Sequence, residues 1–386
     1  MFEDELHLLK DQCLYRQVKT LQPTGAVTAV WQGREIVLFC GNDYLGMSRH
    51  PRVMQAAKKA VDRYGTGAGA ARLISGTSQA HTDLEEKIAR VRKKERALLF
   101  SAGYLANLGV LSALAGEGDL IVMDKLCHAS LIDGARLSGA RLRIFPHRNY
   151  ARCEEILQQE KNTGRTLLVS DTVFSMDGDL AEFKELIRLK KTYGCLWVAD
   201  DAHGMGVMGQ SGGGALEDGG FEGEADVITG TLSKALGSLG GFAAASASVI
   251  EYLINKARPF IFATALPPAV CAAALEALQV LEEEPDHRYA LWRNIQRMHE
   301  ALTAEGWPLA PITSPILPLM IGAEGDALAF SESLLQQGFF VPAVRYPTVA
   351  KGKARLRITV SAAHTPNQIQ QFTETLRRIK KQAAVS

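Results

Sequence analysis

Apolar and polar residues along this chain form a pattern that predicts strands separated by helices. Short apolar runs predict strands at 97–100, 120–123, 142–145, 167–170, 195–199, 226–229 and 241–244. Most are separated by helical segments, among them Pro51–Tyr64, 83–95 with Thr82 as its cap, and 179–193. Strands buried on both faces and joined by helices predict a mainly parallel sheet in an α/β domain.

The two ends of the chain follow other patterns. The first 45 or so residues are predicted to be irregular, because Pro23, Gly25 and Gly33 break any long period. A long helical stretch follows Pro268, and Pro285 should break it. After it come segments at 316–321, 327–337, 339–344 and 355–360 and a last helix from Thr365. We therefore expect an N-terminal segment (1–45), a large domain (46–285) and a smaller C-terminal αβ domain (286–386).

Composition narrows the class of protein. Apolar residues make up 47% of the chain and charged residues 22%, and the formal net charge is +1. A nucleic-acid or membrane-surface protein would need a basic excess, so neither partner is expected. The first ten residues carry acids where a secretory leader would carry basic residues, and the six cysteines are scattered. These features predict a soluble, cytoplasmic protein.

Two motifs match known functional patterns, one for dinucleotide binding and one for a cysteine nucleophile, but their sequence context argues against both functions. Gly65-Thr-Gly-Ala-Gly-Ala70 matches a dinucleotide-binding pattern, but a predicted helix precedes it where a strand is required. Cys127 stands directly before His128, yet neighbouring residues on a strand point to opposite faces, which argues against a thiol nucleophile activated by this histidine.

Three polar clusters follow predicted strands, where ligands bind in open α/β sheets. Ser101–Asn107 opens a helix, whose free N–H groups favour an anion, although a turn without a ligand has the same pattern. Asp200 to His203 could be a capped turn, a metal site or a cofactor site. No further His/Asp set lies at a metal-ligand spacing, so no metal site is predicted.

Lys234 belongs to the third cluster, Gly230-Thr-Leu-Ser-Lys-Ala-Leu-Gly237. Most lysines are solvated surface charges, but this one is flanked by hydroxyls and glycines, which favours a pocket and a Schiff-base nucleophile. A phosphate binds well at a helix start beside hydroxyl groups. A pyridinium nitrogen requires a carboxylate partner, and an aldehyde requires an amine with which to react. The three clusters together therefore indicate pyridoxal 5′-phosphate.

The same residues resemble the α-oxoamine synthases, pyridoxal-phosphate enzymes of the aspartate-aminotransferase-like fold (fold type I). The matching segments include His128-Ala-Ser, Phe174-Ser-Met-Asp-Gly-Asp179, Asp200-Asp-Ala-His-Gly204 and the Lys234 loop. Asn42-Asp-Tyr-Leu-Gly46 and Arg72-Leu-Ile-Ser-Gly76 extend the likeness over nearly the whole chain. Each motif is weak alone, but their joint occurrence in this order is specific.

The resemblance implies catalytic roles for several residues. Lys234 would bind the cofactor aldehyde covalently and act as the base. Asp200 would pair with the pyridine nitrogen, and His203, helped by Ser175, with the ring oxygen. His128 would stack on the ring and face the substrates.

The resemblance also implies the remaining cofactor contacts. The backbone at Gly103 and Tyr104, with Thr231 and Ser233, would hold the phosphate. The family's site usually lies between two subunits, so a homodimer is expected.

For the substrates, the resemblance favours members that join L-alanine to a pimeloyl thioester, with release of carbon dioxide and thiol. Arg16 and Arg345-Tyr-Pro-Thr-Val349 are the residues that favour them. Arg345 would bind the amino-acid carboxylate, and Thr348 and Arg16 would lie towards the acyl substrate. Members that use glycine and acetyl-CoA are the alternative, and Arg16 could instead be a surface arginine on an N-terminal helix.

Three departures from the family pattern accompany this likeness. Ala70-Ala71 stands where many members carry Gly-Ser, Asp171 where some carry Glu, and Tyr346 where Pro is also common. None removes a group that the chemistry requires.

Overall fold

The computed structural model describes residues 2–160 and 164–383 and divides into two compact units. The small unit comprises Met1–Gly46, Met176–Gly178 and Tyr289–Ser386, and the large unit Met47–Ser175 and Asp179–Arg288. The N-terminal segment thus groups with the C-terminal residues, whereas the sequence suggested a separate segment. In the structure the boundaries between the two units fall after Gly46 and after Arg288, whereas the sequence placed domain boundaries after residues 45 and 285.

The start of the chain is more regular than predicted. Helix α1 (Glu3–Asp11) is followed by strands β1 (Gln22–Pro23), β2 (Thr28–Trp31) and β3 (Arg34–Leu38). Strands β2 and β3 are antiparallel, and the two residues between them, Gln32 and Gly33, have φ of 49° and 78°. Positive φ at both positions is typical of the tightest β-hairpin turn. The prediction of an irregular segment was therefore wrong, since Gly33 makes the hairpin turn.

The large unit is built on a mainly parallel sheet, as predicted. Its strands are β4 (Arg96–Phe100), β5 (Leu120–Asp124), β6 (Arg141–Phe145), β7 (Thr166–Asp171), β8 (Leu196–Asp200), β9 (Val227–Thr231) and β10 (Gly241–Ala245). Their order is β4-β10-β9-β8-β7-β5-β6, and of the strands described in this sheet β10 alone runs opposite to the others. The central strands β7 and β8 are almost wholly buried, as a sheet covered on both faces requires.

Two helices precede the first strand of this sheet, α2 (Pro51–Tyr64) and α3 (Gln79–Val91). Between consecutive strands from β4 to β9 lie α4 (Gly103–Leu114), α5 (Ala129–Ser138), α6 (Tyr150–Gln159), α7 (Phe183–Tyr193) and α8 (Ala215–Asp218). Strand β10 is followed by α9 (Ala247–Lys256), α10 (Arg258–Ile261) and α11 (Pro268–Glu283). Pro285 separates α11 from α12 (Asp286–Ala304), as expected of a residue without a backbone donor.

Two predicted helix starts were wrong. Helix α3 is capped by Ser78, not Thr82, because the His81 imidazole accepts from the Ser78 backbone N–H at 3.1 Å and completes a capping box. Helix α7 begins at Phe183 and not at residue 179, because Leu180 is engaged in a bridge with Val173.

The C-terminal part of the small unit contributes strands to two sheets, β1-β2-β3-β12 and β11-β14-β13. Its elements are β11 (Ile316–Gly322), α13 (Glu324–Gln336), β12 (Phe339–Phe340), β13 (Ala343–Val344), β14 (Ala354–Thr359) and α14 (Pro366–Ala383). Strand β12 pairs in parallel with β3, whereas β13 pairs with β14. The strand predicted at 339–344 is thus divided around Pro342, which cannot donate to a ladder.

The buried core consists of aliphatic and aromatic side chains. In the large unit Val169, Trp197 and Val198 are fully buried, and each such side chain stabilises the fold by roughly 1.5–3 kcal/mol. None of the helices in the described ranges is long and apolar enough to cross a bilayer.

Candidate active site

A cavity of ≈ 260 Å³ lies in the large unit at the carboxyl ends of its strands. Strands β7, β8 and β9 run in the same direction, so their last residues meet at one edge of the sheet. The nine residues predicted to hold a cofactor all line this cavity: Gly103, Tyr104, His128, Ser175, Asp200, His203, Thr231, Ser233 and Lys234.

Lys234 is half-buried in the turn that follows β9. Its Nζ atom lies 2.9 Å from Nε2 of His203, so amine and imidazole share a hydrogen bond. The turn closes at Gly237, whose φ is 62° and where a Cβ atom would lie 2.1 Å from the Ser48 nitrogen. Only glycine fits there, and this close packing fixes the loop that carries the amine.

Asp200, at the end of β8, is held from two sides. Its Oδ2 accepts a hydrogen bond from Asn107 Nδ2 at 2.7 Å, and its Oδ1 accepts from the Ala202 backbone N–H at 3.0 Å. Asn107 also donates to Ser130 Oγ at 2.9 Å, and this hydroxyl lies 2.7 Å from Nδ1 of His128. A single network therefore fixes the carboxylate and the imidazole.

Sequence reasoning did not identify Asn107 as a site residue. It stands four residues after Gly103 on α4, so both lie on one helix face, and that spacing was the available signal. Its amide oxygen is buried with no hydrogen-bond partner among the described residues.

Asp171, which follows a predicted strand at the same edge of the sheet as Asp200, also lines the cavity together with Ser130, although no site role was predicted for either. The register places Asp171 opposite Asp200, and its Oδ1 accepts from the His128 N–H at 3.2 Å. Burial, followed by the nearby charge of Asp200, raises the pKa of Asp171 well above its usual range.

The His128 ring is open to the cavity, yet the surrounding protein desolvates it and so lowers its pKa. The ring of Tyr104 meets it edge-on, with 6.3 Å between centroids and an interplanar angle of 79°. A neutral imidazole held in this way presents a flat surface to a bound ring.

The start of α4 offers an anion site. The N–H groups of its first turn, which begins at Gly103, have no partner within the helix. A Cβ at Gly103 would lie 3.0 Å from Cβ of Thr231, so glycine allows the close approach of α4 to β9. The hydroxyls of Thr231 and Ser233 lie 2.7 Å apart beside it. This donor set suits a phosphate.

Asp201 has a different environment from Asp200, as the alternation along a strand predicts. Its Oδ2 lies 2.7 Å from Nη2 of Arg92, and both side chains are almost fully buried. This carboxylate is therefore part of a buried ion pair and does not line the cavity.

The three residues predicted to bind substrate lie in the small unit. Arg345 is buried and donates to the backbone carbonyls of Cys13 and Tyr15, and Arg16 donates to the Tyr346 carbonyl at 3.0 Å. Burial, followed by the charge of Arg16, lowers the pKa of Arg345. The exposed Thr348 donates its N–H to the Arg345 carbonyl at 3.0 Å. Two guanidinium groups thus lie close together.

His147 supports the large unit in a way that the sequence did not indicate. Its Nδ1 lies 3.0 Å from Oδ1 of Asp124 and its Nε2 2.9 Å from Oδ2 of Asp179. Its ring also packs edge-on against Phe174, with 4.4 Å between the ring centroids. Phe174 is the residue before Ser175, which lines the cavity. Burial alone would lower the pKa of His147, but the two carboxylates outweigh it and raise the pKa to about 9.

Comparisons with known proteins give the same family throughout. The aminotransferase class I and II family model matches residues 34–376. An 8-amino-7-oxononanoate synthase from Geobacter sulfurreducens is 44% identical over 383 residues, which cover 99% of this chain and 98% of that protein.

Solved structures agree with this result. A serine palmitoyltransferase from S. paucimobilis, solved with a PLP-myriocin aldimine bound, has a TM-score of 0.95 at 31% identity and covers 100% of this chain and 98% of its own. An 8-amino-7-oxononanoate synthase from Francisella tularensis has a TM-score of 0.77 at 30% identity, covering 90% and 99%.

The His147 contacts predict a pH dependence of stability. Because the folded-state pKa of about 9 lies above the ordinary value for histidine, the stabilisation is complete below about pH 6.5 and is lost as the pH rises through about 9. His147→Asn should therefore lower the free energy of unfolding by about 2–3 kcal/mol near pH 6 and by much less near pH 10. Urea denaturation at both pH values measures this difference.

His7→Asn is the control, since His7 is exposed on α1. It should leave stability unchanged at both pH values. If His147→Asn lowered the free energy of unfolding equally at both pH values, the imidazole would not act through its charge.

Proposed function

This chain belongs to the aminotransferase class I and II family and, within it, to the pyridoxal-phosphate-dependent α-oxoamine synthases, and from that membership we propose that it condenses L-alanine with a pimeloyl thioester. The products are 8-amino-7-oxononanoate, carbon dioxide and a free thiol. The observation that carries this proposal is the likeness to 8-amino-7-oxononanoate synthases over almost the entire chain. The chain is thus an acyltransferase, and pyridoxal phosphate is its cofactor.

The residues of the cavity fit this cofactor. The first turn of α4 and the hydroxyls of Thr231 and Ser233 would hold the phosphate. Asp200 would hold the proton of the ring nitrogen, and the Lys234 amine would bind the aldehyde carbon. His203 and Ser175 would face the ring oxygen, and His128 would stack on the ring.

The reaction requires a carbanion at the alanine Cα atom, and the bound pyridinium ring supplies the electron sink for it. Lys234, once its amine is free, is placed to take the Cα proton. The hydrogen bond between Lys234 and His203 gives this amine a fixed position and a neighbour that can exchange a proton with it. Asn107 donates to the Asp200 carboxylate and so holds it in position where the ring nitrogen would bind.

For the two substrates we assign carboxylate-binding roles to the arginines of the small unit. Arg345 would bind the alanine carboxylate as a bidentate pair, which orients the Cα–H bond. Arg16 would receive the far carboxylate of the pimeloyl chain, and Thr348 would lie beside the acyl substrate. The proximity of the Arg16 and Arg345 side chains supports this, since a carboxylate relieves the repulsion between two cations.

We also infer a homodimer in the cytoplasm. The dimer follows from the family, in which two subunits usually form each site. The location is supported by the six free cysteines, a state typical of a reducing compartment. Sedimentation of the purified protein at micromolar concentration should give twice the chain mass of 41.9 kDa.

One assay tests the substrates directly: release of thiol and carbon dioxide with each amino acid and each acyl thioester. L-Alanine with pimeloyl-CoA or with the pimeloyl acyl carrier protein should give the highest kcat/KM. Higher kcat/KM for glycine with acetyl-CoA would assign the chain to the alternative activity. Higher kcat/KM for serine with a palmitoyl thioester would assign it to the activity for which the S. paucimobilis serine palmitoyltransferase is named.

Lys234 should carry the cofactor covalently. Borohydride reduction and peptide mapping should place the pyridoxyl group on Lys234, because it is the lysine among the described residues that line the cavity. Lys234→Ala should still bind the cofactor through its phosphate contacts but should leave no label after reduction, and turnover should be lost. A label on any other lysine of the native enzyme would remove Lys234 from its proposed role.

Asp200→Asn should lower activity, whereas Asp201→Asn should lower the stability of the fold. Asp200→Asn should lower kcat by about 10²- to 10³-fold with little change in stability, because an amide cannot supply the charge that keeps the ring nitrogen protonated. Asp201→Asn breaks the buried pair with Arg92 and should cost about 3–5 kcal/mol of stability, while the folded fraction keeps most of its kcat. Steady-state kinetics and urea denaturation of both variants separate the two effects.

Arg16 should determine the affinity for the acyl substrate. Arg16→Ala should raise the KM for pimeloyl thioester by the equivalent of about 1.5–3 kcal/mol and leave the KM for alanine unchanged. Arg16→Gln, which keeps a donor for the Tyr346 carbonyl but lacks the charge, should behave in the same way. If Arg16→Ala raised this KM and Arg16→Gln did not, Arg16 would have a packing role instead. Arg34→Ala, on the exposed part of β3, is the control and should leave both KM values unchanged.

A further inference from the structure

Three potential metal ligands converge in the large unit, in a place that the proposed reaction does not use. His50 is the residue before α2, Glu284 follows α11, and His287 lies in the first turn of α12. Pro51 and Pro285 fix the chain where α2 and α12 begin. No local pattern in the sequence indicates this cluster, because His50 is far along the chain from Glu284 and His287.

Two of the three distances between ligand atoms match those around a tetrahedral metal ion. Oε2 of Glu284 lies 3.5 Å from Nε2 of His50 and 3.4 Å from Nε2 of His287. Both distances exceed the usual length of an N–H···O hydrogen bond, about 2.7–3.2 Å. Ligands bound to Zn²⁺ at about 2.0–2.1 Å in a tetrahedron lie about 3.4 Å apart. The third pair, between the two histidines, lies within 4.8 Å.

The residues around Glu284 hold its carboxylate in an orientation that suits a metal ligand. Arg52 donates to Oε1 of Glu284 at 3.0 Å, and it also contacts Glu276 and Glu283 at 2.7 Å. Oε1 is therefore occupied while Oε2 faces the imidazoles, an arrangement that orients metal ligands in known sites. Three carboxylates around one guanidinium leave a local negative charge that attracts a cation.

The histidines are suited to metal binding as well. Nδ1 of His50 is buried without a hydrogen-bond partner among the described residues. Because Nδ1 is buried inside the protein, Nε2, which lies 3.5 Å from Oε2 of Glu284, is the nitrogen available to an ion. The side chains of His50, Glu284 and His287 are 14%, 39% and 29% exposed, which leaves an entry path for an ion and a place for water.

We propose that His50, Glu284 and His287 bind one Zn²⁺ ion, with water as the fourth ligand. Two imidazoles and one carboxylate are a ligand set that Zn²⁺ accepts, whereas Mg²⁺ and Ca²⁺ require mainly oxygen ligands. The ion would join the start of α2 to the corner between α11 and α12. This proposal is independent of the proposed reaction, and its test does not use activity.

The test is a zinc titration of the full-length holoenzyme in competition with a chromogenic chelator. The native protein should bind one more equivalent of Zn²⁺ than His287→Gln and than His50→Gln, or bind that equivalent at least tenfold more tightly. His7→Gln removes an exposed histidine outside the cluster and should match the native protein. The six cysteines are present in every variant, so the difference reports only the imidazoles.

Two further measurements decide the identity and the place of the ion. Excess Mg²⁺ should not displace the bound Zn²⁺. Crystals grown with Zn²⁺ should give an anomalous difference peak at the zinc edge, about 2.0–2.2 Å from all three ligand atoms. Equal zinc binding by the native protein and both cluster variants, or no peak between these side chains, would overturn the proposal.

Discussion

The common direction of β7, β8 and β9 places the chemically active groups of the large unit in one cavity. Each strand ends in polar residues, and in a parallel arrangement these ends meet at one edge. Most side chains within these strands are apolar and buried, whereas charged groups lie at this edge. Asp200 and Lys234 therefore lie in one cavity although they belong to different strands and loops.

Burial of charge at this edge makes the hydrogen-bond partners necessary. A carboxylate in a buried site requires donors, and Asp200 receives them from Asn107 and from the Ala202 backbone. Asp201, one residue later, satisfies the same requirement with Arg92. The two adjacent acids therefore have separate functions, one presented to the cavity and one stabilising the fold.

The small unit illustrates how pairing between distant segments changes a local prediction. Strand β3 near the start of the chain pairs with β12 near its end. The same unit brings Arg16 close to Arg345, whose guanidinium donates to the Cys13 carbonyl. The N-terminal segment is thus an integral part of this unit, and its order depends on residues hundreds of positions away.

The sequence alone determined the strands and most helices of the large unit, because apolar runs and helical periods are local signals. It also indicated the cofactor through Lys234, Asp200 and the start of α4, since each follows a strand end. It missed the N-terminal hairpin, whose turn is made by the predicted breaker Gly33, and it placed the cap of α3 at Thr82 instead of Ser78. The partners of Asp200, the contacts of His147 and the cluster around Glu284 were decided by tertiary structure alone. Each depends on distances between residues that are remote in the chain, and no local pattern encodes such distances.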